Sequence, residues 1–229
     1  MITGWLGLVL LIALLDWIAI WTENEKLTRF TKPATLIALL AWFSLSAGLS
    51  GKLLWFWLAL FFGLLGDIFL LLPNHFFFAG LVAFLLGHGA YIAGLWLDPA
   101  LFRFQHFLII LVIVCVLGLV APLILRNMRE KEFSKRLRLP VIIYMLVISS
   151  MLFLAFSTLF RPDWRPLAAQ LAAAGGVLFF SSDTMLAYRE FVRPFPRARF
   201  WVRVTYHLAQ IALATAALLN FTHEMLIAG

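Results

Sequence analysis

The sequence predicts an all-α fold, a polytopic membrane protein whose eight transmembrane helices form one bundle. Three observations carry this. Hydrophobic residues make up 64% of the chain and charged residues only 13%, against roughly 25% charged in a soluble domain. Mean hydropathy is +0.99. Eight apolar stretches each come close to the roughly 20 residues needed to cross about 30 Å of hydrocarbon.

Taken in order, the first stretch covers residues 3–22. It lacks the basic start and small-residue cleavage site of a secretory leader, so it reads as a permanent span. A polar connection, WTENEKLTRFTKPAT (21–35), leads to Pro33 and the second span, 33–50. The third span, 53–72, stops before Pro73, and the fourth, 76–97, stops before Pro99. The fifth, 104–125, is followed by the basic segment RNMREKEFSKRLR (126–138), and the sixth, 139–160, opens around Pro140. Pro162 and Pro166 precede the seventh span, 166–188, and REFVRPFPRAR (189–199), with Pro194, leads into the eighth, 200–221. Prolines are expected at such boundaries because they cannot continue a helix. The connections leave no room for an extramembrane unit, so residues 1–229 read as a single transmembrane domain.

Composition also excludes several functions. The lone cysteine, Cys115, permits neither a disulfide framework nor a cysteine metal site. The net charge of +7 would suggest nucleic acid in a soluble chain. In a membrane protein it fits loops facing anionic lipid, so membrane lipids and no nucleic acid are the expected surroundings. Fourteen of the eighteen Lys and Arg residues fall in, or within four residues of, connections 1–2, 3–4, 5–6 and 7–8. The positive-inside rule places that side in the cytoplasm and both termini outside, in a bacterial inner membrane.

Three acids interrupt the spans: Asp16, Asp67 and Asp183. A carboxylate at membrane depth costs about 2.5–3.5 kcal/mol on insertion scales, so such residues face the bundle interior and mark function. Asp67 lies five residues before Leu72, roughly 8 Å from the cytoplasmic end of its span. Asp183 and Asp16 fall at a similar depth, on odd-numbered helices running the same way. Even-numbered spans supply complementary groups: His88 with Tyr91 in the fourth, Tyr144 in the sixth, and Tyr206, His207 and Gln210 in the eighth. Ser182 adjoins Asp183, and Lys32, just before Pro33, reads equally as a contact for a lipid phosphate or as a plain helix-end lysine.

LLGDIFLL (64–71) and FSSDTMLA (180–187) align at an offset of 116, with His88 and His207 following 21 and 24 residues after their aspartates. This pattern is consistent with a parallel four-plus-four repeat that would bring Asp67 and Asp183 together.

The series TKP (31–33), GD with its apolar run and Pro (66–73), GLVAFLLGHGAYI (80–92), SSDTMLA (181–187) and YHLAQ (206–210) resembles the YhhN family of eight-span membrane proteins. That family includes the animal lysoplasmalogenases. The resemblance implies hydrolysis of the vinyl ether bond of a lysoplasmalogen, giving a fatty aldehyde and glycerophosphoethanolamine or glycerophosphocholine. It implies that Asp67 and Asp183 are the catalytic pair, with Lys32, His88, Tyr91, Ser182, Tyr206, His207 and Gln210 as further site positions. Tyr144 joins them on the reading of its span.

The chemistry suits two carboxylates. One protonates the β-carbon, and the other stabilises the oxocarbenium ion and takes a proton from water, a division like that in glycosidases. Which aspartate is the acid is open at this level. The headgroup is expected near Lys32 and Arg29. No cofactor or metal is expected, and the oligomeric state is open. Two other readings use the same residues: a proton-coupled transporter of a small or lipid-like substrate, and a metal-dependent lipid hydrolase on His88, His207, Asp67 and Asp183.

Overall fold

Apolar residues in unbroken runs, with no water to satisfy exposed backbone, leave helix as the economical conformation. The computed structural model describes residues 2–73, 76–98, 101–128 and 132–227, and among them there are eight α-helices and no strand. They are α1 (Ile2–Trp21), α2 (Glu25–Ser46), α3 (Gly51–Phe69), α4 (Phe77–Gly94), α5 (Phe104–Asn127), α6 (Glu132–Ser157), α7 (Pro166–Phe191) and α8 (Ala198–Ile227). Each expected span has its helix. Pro99 and part of the basic segment 126–138 lie outside the described residues.

Among the described residues six helices are long and apolar enough to cross a membrane, and Trp5–Trp21 of α1 is a shorter apolar helix. The other helix, α2, differs for a visible reason: its first eight residues include Glu25, Lys26, Arg29 and Lys32. It starts eight residues before the expected boundary. Asn24 caps it, its Oδ1 accepting from the Leu27 N–H at 3.1 Å, which satisfies one of the orphan donors of the first turn. Pro33 and Pro140 therefore lie inside helices and not at their starts. Both helices run past their apolar stretch into polar sequence, so the proline marks the edge of the hydrophobic part and not the helix end. Pro166, by contrast, begins α7, where its missing N–H has no partner to lose.

Packing follows side-chain size. The closest pairs are α7 with α8, α3 with α4 and α1 with α2, while α8 also touches α1, α2 and α3. Gly175 shows why α7 and α8 approach closely. A Cβ there would lie 2.8 Å from Leu213 Cγ and 3.2 Å from the Ala209 carbonyl. Small residues allow this approach where lipid offers no hydrophobic drive between helices. Gly175→Leu is expected to lower stability by about 1–3 kcal/mol through overpacking, read as a lower melting temperature in detergent. α5 instead presents Phe104, Phe107, Leu111, Val112 and Leu119 outward, as a lipid-facing helix would.

The connection between α6 and α7 forms a polar clasp. Arg161 is buried and donates to the Leu95 carbonyl at 2.8 Å and to both oxygens of Asp163. Asn220 of α8 accepts from the Arg165 N–H and donates to the Asp163 carbonyl. Partial burial raises the Asp163 carboxyl, but the Arg161 hydrogen bonds and charge, with Lys52, outweigh it and hold the group below its ordinary value. A depressed carboxyl contributes stability that is complete above about pH 4 and lost as pH falls through its lowered value. Asp163→Asn should cost about 1 kcal/mol or less, because water screens a carboxylate this exposed. The difference from the parent should vanish in melts at the acid end.

Candidate functional site

Near the C-terminal end of α3, Asp67 is buried, and its Oδ1 lies 3.0 Å from the Lys32 ammonium of α2. Its other oxygen, Oδ2, is buried without a hydrogen-bond partner among the described residues. A buried carboxylate oxygen left open is costly unless something else binds there. The Tyr206 hydroxyl of α8 stands beside this carboxyl.

Asp183 of α7 is served from two other helices. Tyr144 of α6 donates to its Oδ2 at 2.5 Å, and His88 Nε2 of α4 lies 3.0 Å from the same oxygen. The imidazole is locked by what surrounds it, with Nδ1 3.2 Å from Met151 Sδ and the ring set edge-on against Phe179. Both donors converge on Oδ2, leaving Oδ1 as the second face of this carboxyl.

The two aspartates line one chamber of about 200 Å³. Lys32, Arg189, Arg199, Arg203, Glu190 and Tyr206 share its wall. An apolar groove continues from it between α4, α5, α6 and α7, lined by Leu117, Val120, Ile148 and Phe180 among others. Groove and chamber meet along Leu70, Phe77, Phe84, Asp183 and Leu186. Asp183 thus sits at the junction of a charged compartment and a hydrocarbon one. Gly66 makes room there, because a Cβ on it would lie 2.7 Å from the Phe84 ring.

The family profile decides what this arrangement belongs to. The profile of the YhhN family matches residues 27–217, which include every residue lining the chamber. The chain belongs to the YhhN family. Curated relatives carry the name lysoplasmalogenase TMEM86B. The mouse (Mus musculus) protein is 33% identical over 156 residues, covering 68% of this chain and 59% of the relative. The human (Homo sapiens) protein is 28% identical over 205 residues, 87% of this chain and 80% of the relative. The rat (Rattus norvegicus) protein is 31% identical over 67% of this chain and 57% of its own length. The chain thus spans less than two thirds of the mouse and rat relatives. No solved structure matches at a significant level.

In this YhhN-family chain the residues singled out from sequence fall into three places. Lys32, Asp67, Ser182, Asp183 and Tyr206 line the chamber, and His88 and Tyr144 hold Asp183 from outside it. The Ser182 hydroxyl donates to the Val202 carbonyl at 2.9 Å, tying α7 to α8. Tyr91 and Gln210 form an inner relay: Tyr91 donates to Gln210 Oε1, and Gln210 Nε2 donates to the Tyr206 hydroxyl at 3.2 Å. His207 is set apart from the chamber. Its Nδ1 accepts from Trp17 Nε1 at 3.2 Å, and the two rings stack.

Arg189, Arg199, Arg203 and Glu190 were not singled out, since as a group they read as topology signals and loop charge. One signal pointed to Arg203. It lies three, four and seven residues before Tyr206, His207 and Gln210, on their helix face, and the buried Asp16 required a cation. Among the described residues, no group of three His, Cys, Asp or Glu side chains has metal-binding geometry.

Proposed function

We propose that the chain is an integral membrane hydrolase that cleaves the vinyl ether bond of lysoplasmalogens. The carrying observation is the junction: a charged chamber holding two carboxylates that opens directly onto an apolar groove. An amphipathic substrate with a headgroup in one and a hydrocarbon chain in the other has its alkenyl ether at the boundary, beside Asp183. Membership of a family with relatives named lysoplasmalogenase supports the same reading.

In this mechanism Asp183 is the acid. Its Oδ1 delivers a proton to the β-carbon of the alkenyl chain while Oδ2 keeps the bonds from Tyr144 and His88. The double bond supplies the electrons for the new C–H bond, leaving an oxocarbenium ion on the α-carbon and ether oxygen. Asp67, ion-paired with Lys32, is the carboxylate. Its open Oδ2 takes a proton from the water whose oxygen attacks the α-carbon. Asp183, now a carboxylate, takes the hemiacetal's hydroxyl proton, and Asp67 returns its proton to the departing glycerol oxygen; this gives the aldehyde and the glycerophospho headgroup and restores both groups. The fixed charge of Asp67 faces the developing cation, which is where preorganised electrostatics contribute most.

The wider architecture is read the same way: eight spans, the whole of residues 1–229 as one transmembrane domain, and a four-plus-four repeat. Helix pairing supports the repeat, since α2 with α3 and α3 with α4 correspond to α6 with α7 and α7 with α8. In the same relation Lys32 serves Asp67 from α2 and Tyr144 serves Asp183 from α6. The basic end, where the chamber lies, faces the cytoplasm of a bacterial inner membrane, with both termini on the other side.

Purified protein should release fatty aldehyde from lysoplasmenyl-ethanolamine and none from the saturated alkyl-ether analogue, which has no double bond to protonate. Absence of aldehyde from the alkenyl lipid overturns this reading.

A further inference from the structure

The geometry points to Arg203, held in place by Asp16 and Thr31, as the anchor for the phosphodiester of the bound lipid. This deepens the reading above and rests on it only for the identity of the lipid. The sequence directs attention to Lys32 and Arg29 for this role. Lys32, however, has its ammonium on Asp67, and Arg29 is not among the residues lining the chamber.

Arg203 differs from both. It enters the chamber wall from the second turn of α8, with its side chain only 11% exposed. Behind it, Asp16 of α1 is completely buried, accepting from Arg203 Nη1 at 2.8 Å on one oxygen and from the Thr31 hydroxyl at 2.7 Å on the other. Both carboxylate oxygens are thereby used. Among the described residues, Arg203 Nε and Nη2 donate to nothing.

A guanidinium carries five N–H donors in a rigid fork suited to phosphate. Asp16 fixes one edge of that fork and leaves the other for an anion. Arg199, one turn earlier on α8, also lines the chamber, but Glu25 takes both its Nη1 and its Nη2. Arg189 is paired with Glu190. Of the chamber's guanidinium groups, Arg203 is therefore the one held by a fully buried carboxylate with its whole Nε/Nη2 edge left open. Asp16, buried and away from the chamber wall, acts through it as a positioning residue.

Equilibrium binding in detergent tests this with three probes: an alkyl-ether lysophosphoethanolamine, the matching alkylglycerol without phosphate, and free glycerophosphoethanolamine. One charge-assisted contact predicts that wild type prefers the phospholipid over the alkylglycerol by roughly 10- to 100-fold. Removing Arg203 alone strands a buried carboxylate, so the informative variant is the neutral pair Asp16→Asn/Arg203→Gln. It should bring the ratio close to one while alkylglycerol affinity stays the same. Arg203→Lys should restore part of the preference, and Asp16→Asn alone should raise KM more than it lowers kcat.

A preference retained in the folded double variant overturns the anchor, as does its absence in wild type. Free glycerophosphoethanolamine binding as tightly as the phospholipid would overturn a lipid headgroup as the occupant. Loss of the preference in the variant, with no aldehyde released by wild type, would leave the anchor standing and remove the hydrolase reading instead.

Discussion

Asp183→Asn is expected to abolish aldehyde release, with a loss of at least about 10²- to 10⁴-fold, the usual contribution of a positioned general acid. The substitution is nearly isosteric. An amide oxygen in the place of Oδ2 still accepts from Tyr144 and from His88, so the local packing persists. What disappears is the proton that must reach carbon, which an amide cannot supply. Asp67→Asn should cost a similar factor for a different reason: an amide facing Lys32 neither stabilises the oxocarbenium ion nor takes a proton from water. The measurement is aldehyde release by each purified variant, alongside its melting temperature and elution profile. Full activity in either folded variant would remove the two-carboxylate mechanism.

Lys32→Met is expected to lower stability by about 3–5 kcal/mol, the effect of removing one partner of a buried pair. Asp67 is only 2% exposed, and Lys32 Nζ, 3.0 Å away, is its ion-pair partner. Methionine keeps the volume of the lysine stem, so packing changes little and the loss reports the stranded charge. The control is Lys32→Met/Asp67→Asn, which neutralises both sides. It should recover most of the melting temperature and none of the activity. A Lys32→Met variant as stable as its parent would show that Asp67 does not depend on that ammonium.

Much of the fold was legible because hydrocarbon is a demanding solvent. Long apolar runs have few options besides helix, and all eight expected segments have a helix. The boundaries at Pro33 and Pro140 were misjudged for a physical reason. A proline costs a helix one hydrogen bond and a steric adjustment, which continued helix on both sides can absorb. The lower apolarity of α2 was visible in its charges, but Asn24 capping nine residues ahead of Pro33 shows that the helix starts in the polar connection.

The site was legible in kind and less so in arrangement. Asp67 and Asp183 stood out because a carboxylate within an apolar run must be compensated, and both do line one chamber. Asp16 meets the same hydropathy criterion, yet it lies behind the wall, tied to Arg203 and Thr31. The same hydropathy argument selects all three acids because it measures the cost of burial and is silent on what relieves it.

By itself the sequence determined that the chain is helical and membrane-embedded, and that its intramembrane acids need partners. Those properties depend on composition and on distance along the chain. Tertiary structure alone decided which partner meets which carboxyl group: Lys32 with Asp67, Arg203 with Asp16, and His88 and Tyr144 with Asp183. The partners are separated by 35, 187, 95 and 39 positions. Such pairings are set by helix rotation and crossing, which depend on close fits such as Gly175 against Leu213. A side chain faces the chamber, a neighbouring helix or lipid according to that rotation, and hydropathy along the chain does not specify it.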